Sequence, residues 1–224
     1  MHICLFDIDG TLLSSGGAGK AAMEGAIMSA FGVAEIRGQV PFSGRTDRAI
    51  IRDLFHMHDI ADTPENWQHF VSTYLHLLPE CLHRHEGRVL PGILWLLEHL
   101  AERDDVAVGL LTGNLREGAK RKLGHYDMFH HFTFGGFGDL HFERDDVARE
   151  ALTAVHHHLN GSVSLERTWV IGDTPLDIAC ARAIGARVLA VATGWHSYDL
   201  LAAENPDLLV TDLSDPAPLL QVLS

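Results

Sequence analysis

The chain has 224 residues, 46% of them apolar, and it can therefore bury a full hydrophobic core as one domain or as a core domain with a smaller insertion. Its 17 Lys and Arg face 30 Asp and Glu, and the formal net charge of −13 argues against nucleic acid or an anionic membrane as a partner. The 3 scattered cysteines fit neither a disulfide framework nor a thiolate metal site, which predicts a reducing, cytoplasmic location.

The first predicted element is a buried strand over residues 3–8, and two carboxylates lie at its end. Asp7 and Asp9 stand two residues apart, directly before Gly10 and Thr11. At the carboxyl end of a strand in an open α/β sheet, both side chains can reach one crevice. Two like charges this close repel each other, so the pair indicates a bound cation. A polar turn after a buried strand is the alternative.

Residues 14–88, called the insertion below, show helical patterns and no convincing strand. One helix is predicted to end at Gly32, and a longer one to begin at Pro64 and stop before Pro79. Because the insertion follows Asp7 and Asp9 directly, we expect it to cover them as a lid.

A second strand is predicted over residues 106–112, after a helix over 90–101. It leads into Thr112, Gly113 and Asn114. A hydroxyl and free backbone N–H groups at a strand end that opens a helix can hold a phosphate. A simple helix cap explains the same residues equally well.

The last third of the chain continues the alternation, with a strand at 132–134, a helix at 145–159, a strand at 168–172, a helix at 176–184 and a strand at 187–192. Asp173 directly follows the strand at 168–172, and Asp177 lies one helical turn further on. Carboxylates with this spacing can supply a direct ligand and a supporting partner to a hard cation. The alternative is that Asp173 only caps the helix.

This alternation predicts an α/β fold, a doubly wound parallel-sheet (Rossmann-like) core with an inserted α-helical cap domain. The core is expected to comprise residues 1–13 and 89–224, and the cap residues 14–88. In a parallel sheet the three polar strand ends meet at one edge.

The residues at these strand ends resemble motifs of the haloacid dehalogenase superfamily over nearly the whole chain. Asp7-Ile8-Asp9-Gly10-Thr11 is similar to its first motif, Thr112 to its second, and Gly172-Asp173 with Asp177 to its fourth. The insertion resembles the cap of the phosphoglycolate phosphatase and β-phosphoglucomutase branch.

The resemblance implies a role for each motif residue. Asp7 would attack phosphorus and become an aspartyl phosphate, and Asp9 would protonate the leaving alcohol and then activate water. Mg²⁺ is the implied cofactor, and its implied ligands are Asp7, Asp9 through its backbone carbonyl, and Asp173, with Asp177 behind them. The transferring phosphoryl oxygens would be held by Thr112, Gly113 and Asn114.

The third motif departs from the family's pattern, which commonly has a lysine followed by proline. Residues 142–146 occupy the expected place, and Arg144 is our preferred candidate to pair with the nucleophile and the phosphate. Lys120 and Lys122 are competitors, although a solvated helix face is the ordinary explanation for both.

In the insertion, residues 43–47 (the cap loop) resemble the loop that this branch turns toward the substrate. Arg45 is expected to contact a carboxylate or phosphate on the leaving group. Alternatively, Thr46 or Asp47 only caps the next helix, and both statements can hold together.

The sequence therefore predicts a Mg²⁺-dependent phosphatase of small phosphorylated metabolites, either phosphoglycolate-like or sugar phosphates, acting through phospho-Asp7. Superfamily members that remove halide lack the second aspartate, so the presence of Asp9 argues against dehalogenation. A phosphomutase of the β-phosphoglucomutase type and a catalytically idle phosphometabolite-binding protein are the alternatives. The substrate and the oligomeric state stay open.

Overall fold

The computed structural model describes residues 1–159, 161 and 163–224. Its strands are β1 (His2–Phe6), β2 (Leu13–Ser14), β3 (Arg88–Val89), β4 (Val106–Leu111), β5 (Gly135–Gly136), β6 (Thr168–Gly172), β7 (Arg187–Val191) and β8 (Leu208–Val210). Its α-helices are α1 (Ala18–Phe31), α2 (Asp47–Met57), α3 (Pro64–Arg84), α4 (Ile93–Ala101), α5 (Arg116–His125), α6 (Arg144–Leu159), α7 (Pro175–Ala183), α8 (Tyr198–Ala203) and α9 (Ala217–Val222).

Six strands form one parallel sheet in the order β5-β4-β1-β6-β7-β8. In the register of this sheet, Phe6 of β1 lies opposite Leu110 of β4 and Ile171 of β6. Neighbouring strands therefore end at the same level. Asp7, Thr112 and Asp173, which follow within two residues of those positions, all emerge at this edge.

Helices cover both faces of the sheet, as the sequence predicts. Alternate residues of β1 supply the two faces: Cys4 and Phe6 pack into the core beneath α4 and α5, whereas Ile3 and Leu5 pack into the core beneath α6 and α7. Burial on both sides explains why β1 is a continuous apolar run. The Rossmann-like α/β fold class is thus confirmed.

Helices α1, α2 and α3 share a third hydrophobic core, separate from those of the sheet. Ile27, Leu54, Phe55, Phe70 and Tyr74 are among its fully buried members. The three helices follow one another in the chain between β2 and β3. Each contributes one apolar side to this core, which favours their packing together.

Three details of the sequence-based prediction are wrong. Helix α3 continues through Pro79 to Arg84, because Leu78 and Leu82 stay buried on either side of the proline and their packing outweighs the missing backbone donor. The insertion is bordered by short strands, since β2 pairs antiparallel with β3. Residues 132–134 form no strand; β5 follows at Gly135 instead.

Helices α8 and α9 and strand β8 were not predicted from the sequence, whereas α2 was expected to follow Thr46 or Asp47 and begins at Asp47 with Thr46 as its cap. Among the described residues, none of the helices has both the length and the apolar character that crossing a membrane requires.

Candidate active site

Three buried carboxylates meet where β1 and β6 end. Asp7, Asp173 and Asp177 each offer an oxygen atom, and these three atoms lie within 4.8 Å of one another. The backbone comes very close to Asp173, because a Cβ at Gly10 or Gly194 would overlap its carboxylate. Such a set of oxygen donors is suited to a hard divalent cation such as Mg²⁺.

Asp177 is held rigidly at the start of α7. Thr174 caps this helix, and its backbone N and Oγ1 both donate to Asp177 Oδ2, at 3.0 and 2.7 Å. The other oxygen, Oδ1, accepts from Arg144. Because Thr174 is the cap, the alternative that Asp173 merely caps the helix is wrong. Both oxygens of Asp177 therefore accept hydrogen bonds from protein donors.

Arg144 reaches the nucleophile candidate from the first position of α6. Its side chain is 4% exposed, and Nη2 lies 3.0 Å from Asp7 Oδ1 and 2.5 Å from Asp177 Oδ1. Weaker bonds run to the carbonyls of Leu111 and Gly44. Within the described part of the chain, its buried Nε has no hydrogen-bond partner. Of the three candidates for the third motif, Arg144 alone contacts Asp7.

Asp9 has a different cation. Lys122 Nζ donates to Asp9 Oδ2 and to Asn114 Oδ1, both at 2.6 Å, and the lysine side chain is only 6% exposed. The expectation that Lys122 lies on a solvated helix face is therefore wrong, although it is right for Lys120, which is exposed. Lys122 shares the inner side of α5 with Gly118, Ala119 and Leu123.

Thr112 and Asn114 complete the polar cluster around Asp9. Asn114 Nδ2 donates to Asp9 Oδ2 at 2.9 Å and to Thr112 Oγ1 at 2.8 Å. Neither side chain caps α5, which begins at Arg116: Asp47 accepts from the N–H of the preceding residue, Leu115, and Asp139 accepts from Arg116 N. The helix-cap explanation of these residues is thus wrong.

The carboxylates of the site have shifted pKa values. Burial raises the pKa of Asp7 to about 6, although Arg144 opposes the rise. Burial, with repulsion from Asp177 and Asp7, raises the pKa of Asp173 well above its ordinary value. Burial acts in the same direction on Asp9, but the charge and hydrogen bond of Lys122 outweigh it and lower that pKa. The two aspartates of the first motif therefore differ in protonation behaviour.

The cap loop is fastened to the core beside these residues. Asp47 N donates to the Gly113 carbonyl at 2.7 Å, and Asp47 Oδ2 accepts from Leu115 N at 2.8 Å. Thr46 caps α2 and donates to the Phe142 carbonyl at 3.1 Å. A Cβ at Gly113 would overlap the Arg45 carbonyl, so the cap loop lies directly on the loop of Thr112.

The Arg45 side chain is bound within the insertion in this structure. Its guanidinium donates to Asp53 Oδ2 at 2.6 Å and to the Pro41 carbonyl at 3.0 Å, both within the insertion. Its backbone lies over the site, while its side chain is bound to the helix that follows.

Comparison with known proteins identifies relatives of this chain. Residues 4–191 match the model of the haloacid dehalogenase-like hydrolases. Over 152 residues the chain is 26% identical to a protein of Caldanaerobacter subterraneus subsp. tengcongensis that bears the name pyrophosphatase PpaX. That alignment covers 66% of each protein, so the chain spans slightly less than two thirds of this relative.

Solved structures share the fold at low identity. A structure described as a predicted phosphoglycolate phosphatase from Haemophilus somnus has a TM-score of 0.71 at 17% identity, covering 99% of this chain and 98% of that one. A variant of CbbY from Rhodobacter sphaeroides, in complex with xylulose 1,5-bisphosphate, has a TM-score of 0.73 at 19% identity, covering 96% of both chains. Because the family match spans most of the sequence, the chain belongs to the haloacid dehalogenase-like hydrolase family.

Proposed function

We propose that this protein is a Mg²⁺-dependent phosphatase of small phosphorylated metabolites that works through an aspartyl phosphate on Asp7. The observation that carries the proposal is the convergence of three buried carboxylates with Arg144, whose guanidinium lies 3.0 Å from Asp7. Asp9, with its own hydrogen-bonded cluster, lies beside them. A nucleophile, a second carboxyl group and oxygen ligands for a cation are the parts that phosphoryl transfer requires.

In this proposal Asp7 attacks the phosphorus atom and the bond to the alcohol oxygen breaks. Asp9, which takes up a proton when the charge of the bound phosphate counteracts that of Lys122, gives this proton to the leaving oxygen and then takes a proton from the water that hydrolyses the acyl phosphate. Arg144 holds Asp7 in place and offers its unpartnered Nε as a further donor. Thr112, Asn114 and the backbone N–H groups of their loop stabilise the negative charge on the phosphoryl oxygens.

The donor set fits Mg²⁺. Asp7 and Asp173 would hold the ion, with the Asp9 carbonyl, and Asp177 would orient this group from behind. Among the described residues, Thr11 is the one side chain that donates a hydrogen bond to Asp173, from Oγ1 at 3.2 Å. The buried carboxylate of Asp173 therefore lacks a compensating cation of its own. When bound, the ion would neutralise the phosphate charge and orient the phosphoryl group.

We propose that residues 14–88 act as the cap over this site, as the bonds of the cap loop to Gly113, Leu115 and Phe142 suggest. With the loop in this position the reacting group is shielded from water and a small substrate is favoured. The CbbY variant bound to a sugar bisphosphate supports phosphorylated sugars or similar metabolites as the substrate class. Arg45 would contact the substrate after releasing Asp53.

The test is phosphate release from a panel of sugar, polyol and carboxylate phosphates, with Mg²⁺ and with EDTA. Wild type is compared with Asp7→Asn and with Asp104→Asn, a control at an exposed loop position. We expect metal-dependent release from one class of esters, below about one thousandth of the wild-type rate in Asp7→Asn. Release that survives in Asp7→Asn would refute the mechanism. Isomerised sugar phosphates without release would instead identify a mutase.

A further inference from the structure

Lys122 is a buried cation in contact with the candidate acid and base, Asp9. It projects from the second turn of α5, and its Nζ lies 2.6 Å from both Asp9 Oδ2 and Asn114 Oδ1. Helix α1 leaves room for it at Gly19, where an added Cβ would lie only 3.1 Å from Nζ. The amino group is thus enclosed between the core and the insertion.

The contacts of Lys122 fix two side chains at once. Because the Asn114 oxygen accepts from Lys122, its amide nitrogen faces Asp9 and Thr112. Asp9 Oδ2 receives two donors in this way, while Oδ1 receives Ser15 Oγ at 3.3 Å. A continuous chain of hydrogen bonds therefore runs from the lysine through Asn114 to the Thr112 hydroxyl.

The two buried cations of the site serve different carboxylates. Arg144 forms ion pairs with Asp7 and Asp177, whereas Lys122 donates to Asp9 and Asn114. Two of the donor positions of Lys122 are occupied by these protein atoms. This division argues that Lys122 does not bind the substrate phosphate directly and acts through Asp9 instead.

We propose that Lys122 is a positioning residue, which holds the Asp9 carboxyl group and the Asn114 amide in the orientation that proton transfer needs. The inference rests on the proposed phosphatase function. Asp9 donates a proton to the leaving alcohol and later accepts one from water, so both steps depend on its orientation. Misorientation of Asp9 slows proton transfer from water for every ester. It slows departure of the alcohol less when the leaving group needs no proton.

The experiment compares wild type, Lys122→Met and the control Lys120→Met, an exposed lysine on the same helix. p-Nitrophenyl phosphate with Mg²⁺ is the substrate, because p-nitrophenolate leaves readily without a proton. In Lys122→Met we expect a rapid burst of about one p-nitrophenolate per folded enzyme, followed by steady turnover reduced about 100-fold. The KM should not rise, and Lys120→Met should behave as wild type.

Other results overturn the inference. Unchanged turnover would show that Lys122 has no part in the reaction, and a raised KM at unchanged kcat would make it a substrate contact. Loss of the burst in a folded variant would assign it to the attack by Asp7. Lys122→Gln, which keeps an N–H donor, replaces the Met variant if that one does not fold, and unfolding of both would mark a structural residue. Absence of activity in wild type would refute the proposed phosphatase itself.

Discussion

Replacing Arg144 by Met tests how much the site depends on its buried arginine. The change removes the ion pairs with Asp7 and Asp177 and leaves two buried carboxylates without their cation. Removing one partner from a buried ion pair costs about 3–5 kcal/mol. For a chain of this length, 1 kcal/mol lowers Tm by about 2–4 °C. We therefore expect Tm in EDTA to fall by about 6–20 °C.

Two further measurements distinguish this cause from a general packing defect. First, Mg²⁺ should narrow the difference in Tm between variant and wild type, because a divalent ion bound to Asp7 and Asp173 compensates their charge. Second, Arg144 lowers the pKa of Asp7, so its loss raises that pKa further above about 6. The native variant then holds a proton that the unfolded chain releases. The stability of the variant relative to wild type therefore falls further as pH rises.

Arg149→Met is the matched control, because Arg149 lies on the same helix with 58% of its side chain exposed. This change should alter stability by less than about 0.5 kcal/mol. If Arg144→Met were as stable as Arg149→Met in EDTA at alkaline pH, Arg144 would not be the compensating cation, and the assigned third motif would be wrong.

Two other predictions concern the cap loop and the metal site. Burial raises the pKa of Asp47 to about 7, so the native state keeps a proton that the unfolded chain loses, and stability falls as pH rises from about 4 to about 7. Asp47→Asn, whose amide oxygen can still accept from Leu115, should flatten this fall in urea titrations; an unchanged pH profile would contradict the shift. Gly194→Ala brings a Cβ onto the Asp173 carboxylate and should raise the Mg²⁺ concentration that activity requires. Gly124→Ala, where the added Cβ meets no atom within 4 Å, is its control. If Gly194→Ala and Gly124→Ala needed the same Mg²⁺ concentration, the contact between residue 194 and Asp173 would have no effect on metal binding.

The sheet and the strand-end carboxylates could be predicted because local sequence determines them directly. A short apolar run buried on both faces specifies a strand, and in a parallel sheet every strand ends at the same edge. Asp7 and Asp173 are therefore expected at the same edge, and the pairing of β1 with β6 brings them close together. The place of Arg144 before a helix predicts that it pairs with the nucleophile candidate, and its Nη2 lies 3.0 Å from Asp7 Oδ1.

What the sequence did not reveal depends on contacts between distant segments. A lysine on a helix ordinarily faces solvent. Lys122 is instead buried against Asp9, and this partner could not be identified from the sequence because it lies 113 positions away. One signal was present: Gly118, Ala119 and Leu123 mark the inner side of α5, and Lys122 falls on that side while Lys120 does not. Likewise, only packing in the insertion carries α3 past Pro79.

The charges in contact at the site explain how so acidic a chain can handle an anionic substrate. Asp7, Asp9, Asp173 and Asp177 contribute four negative charges when ionised, and Arg144 and Lys122 contribute two positive ones. The difference of two negative charges is what one divalent cation neutralises. With such an ion bound, the site no longer repels a phosphate, although the chain as a whole has a formal net charge of −13. Loss of either buried cation upsets this balance, but at different carboxylates: Arg144 at the proposed nucleophile Asp7 and at Asp177, Lys122 at the proposed acid and base Asp9.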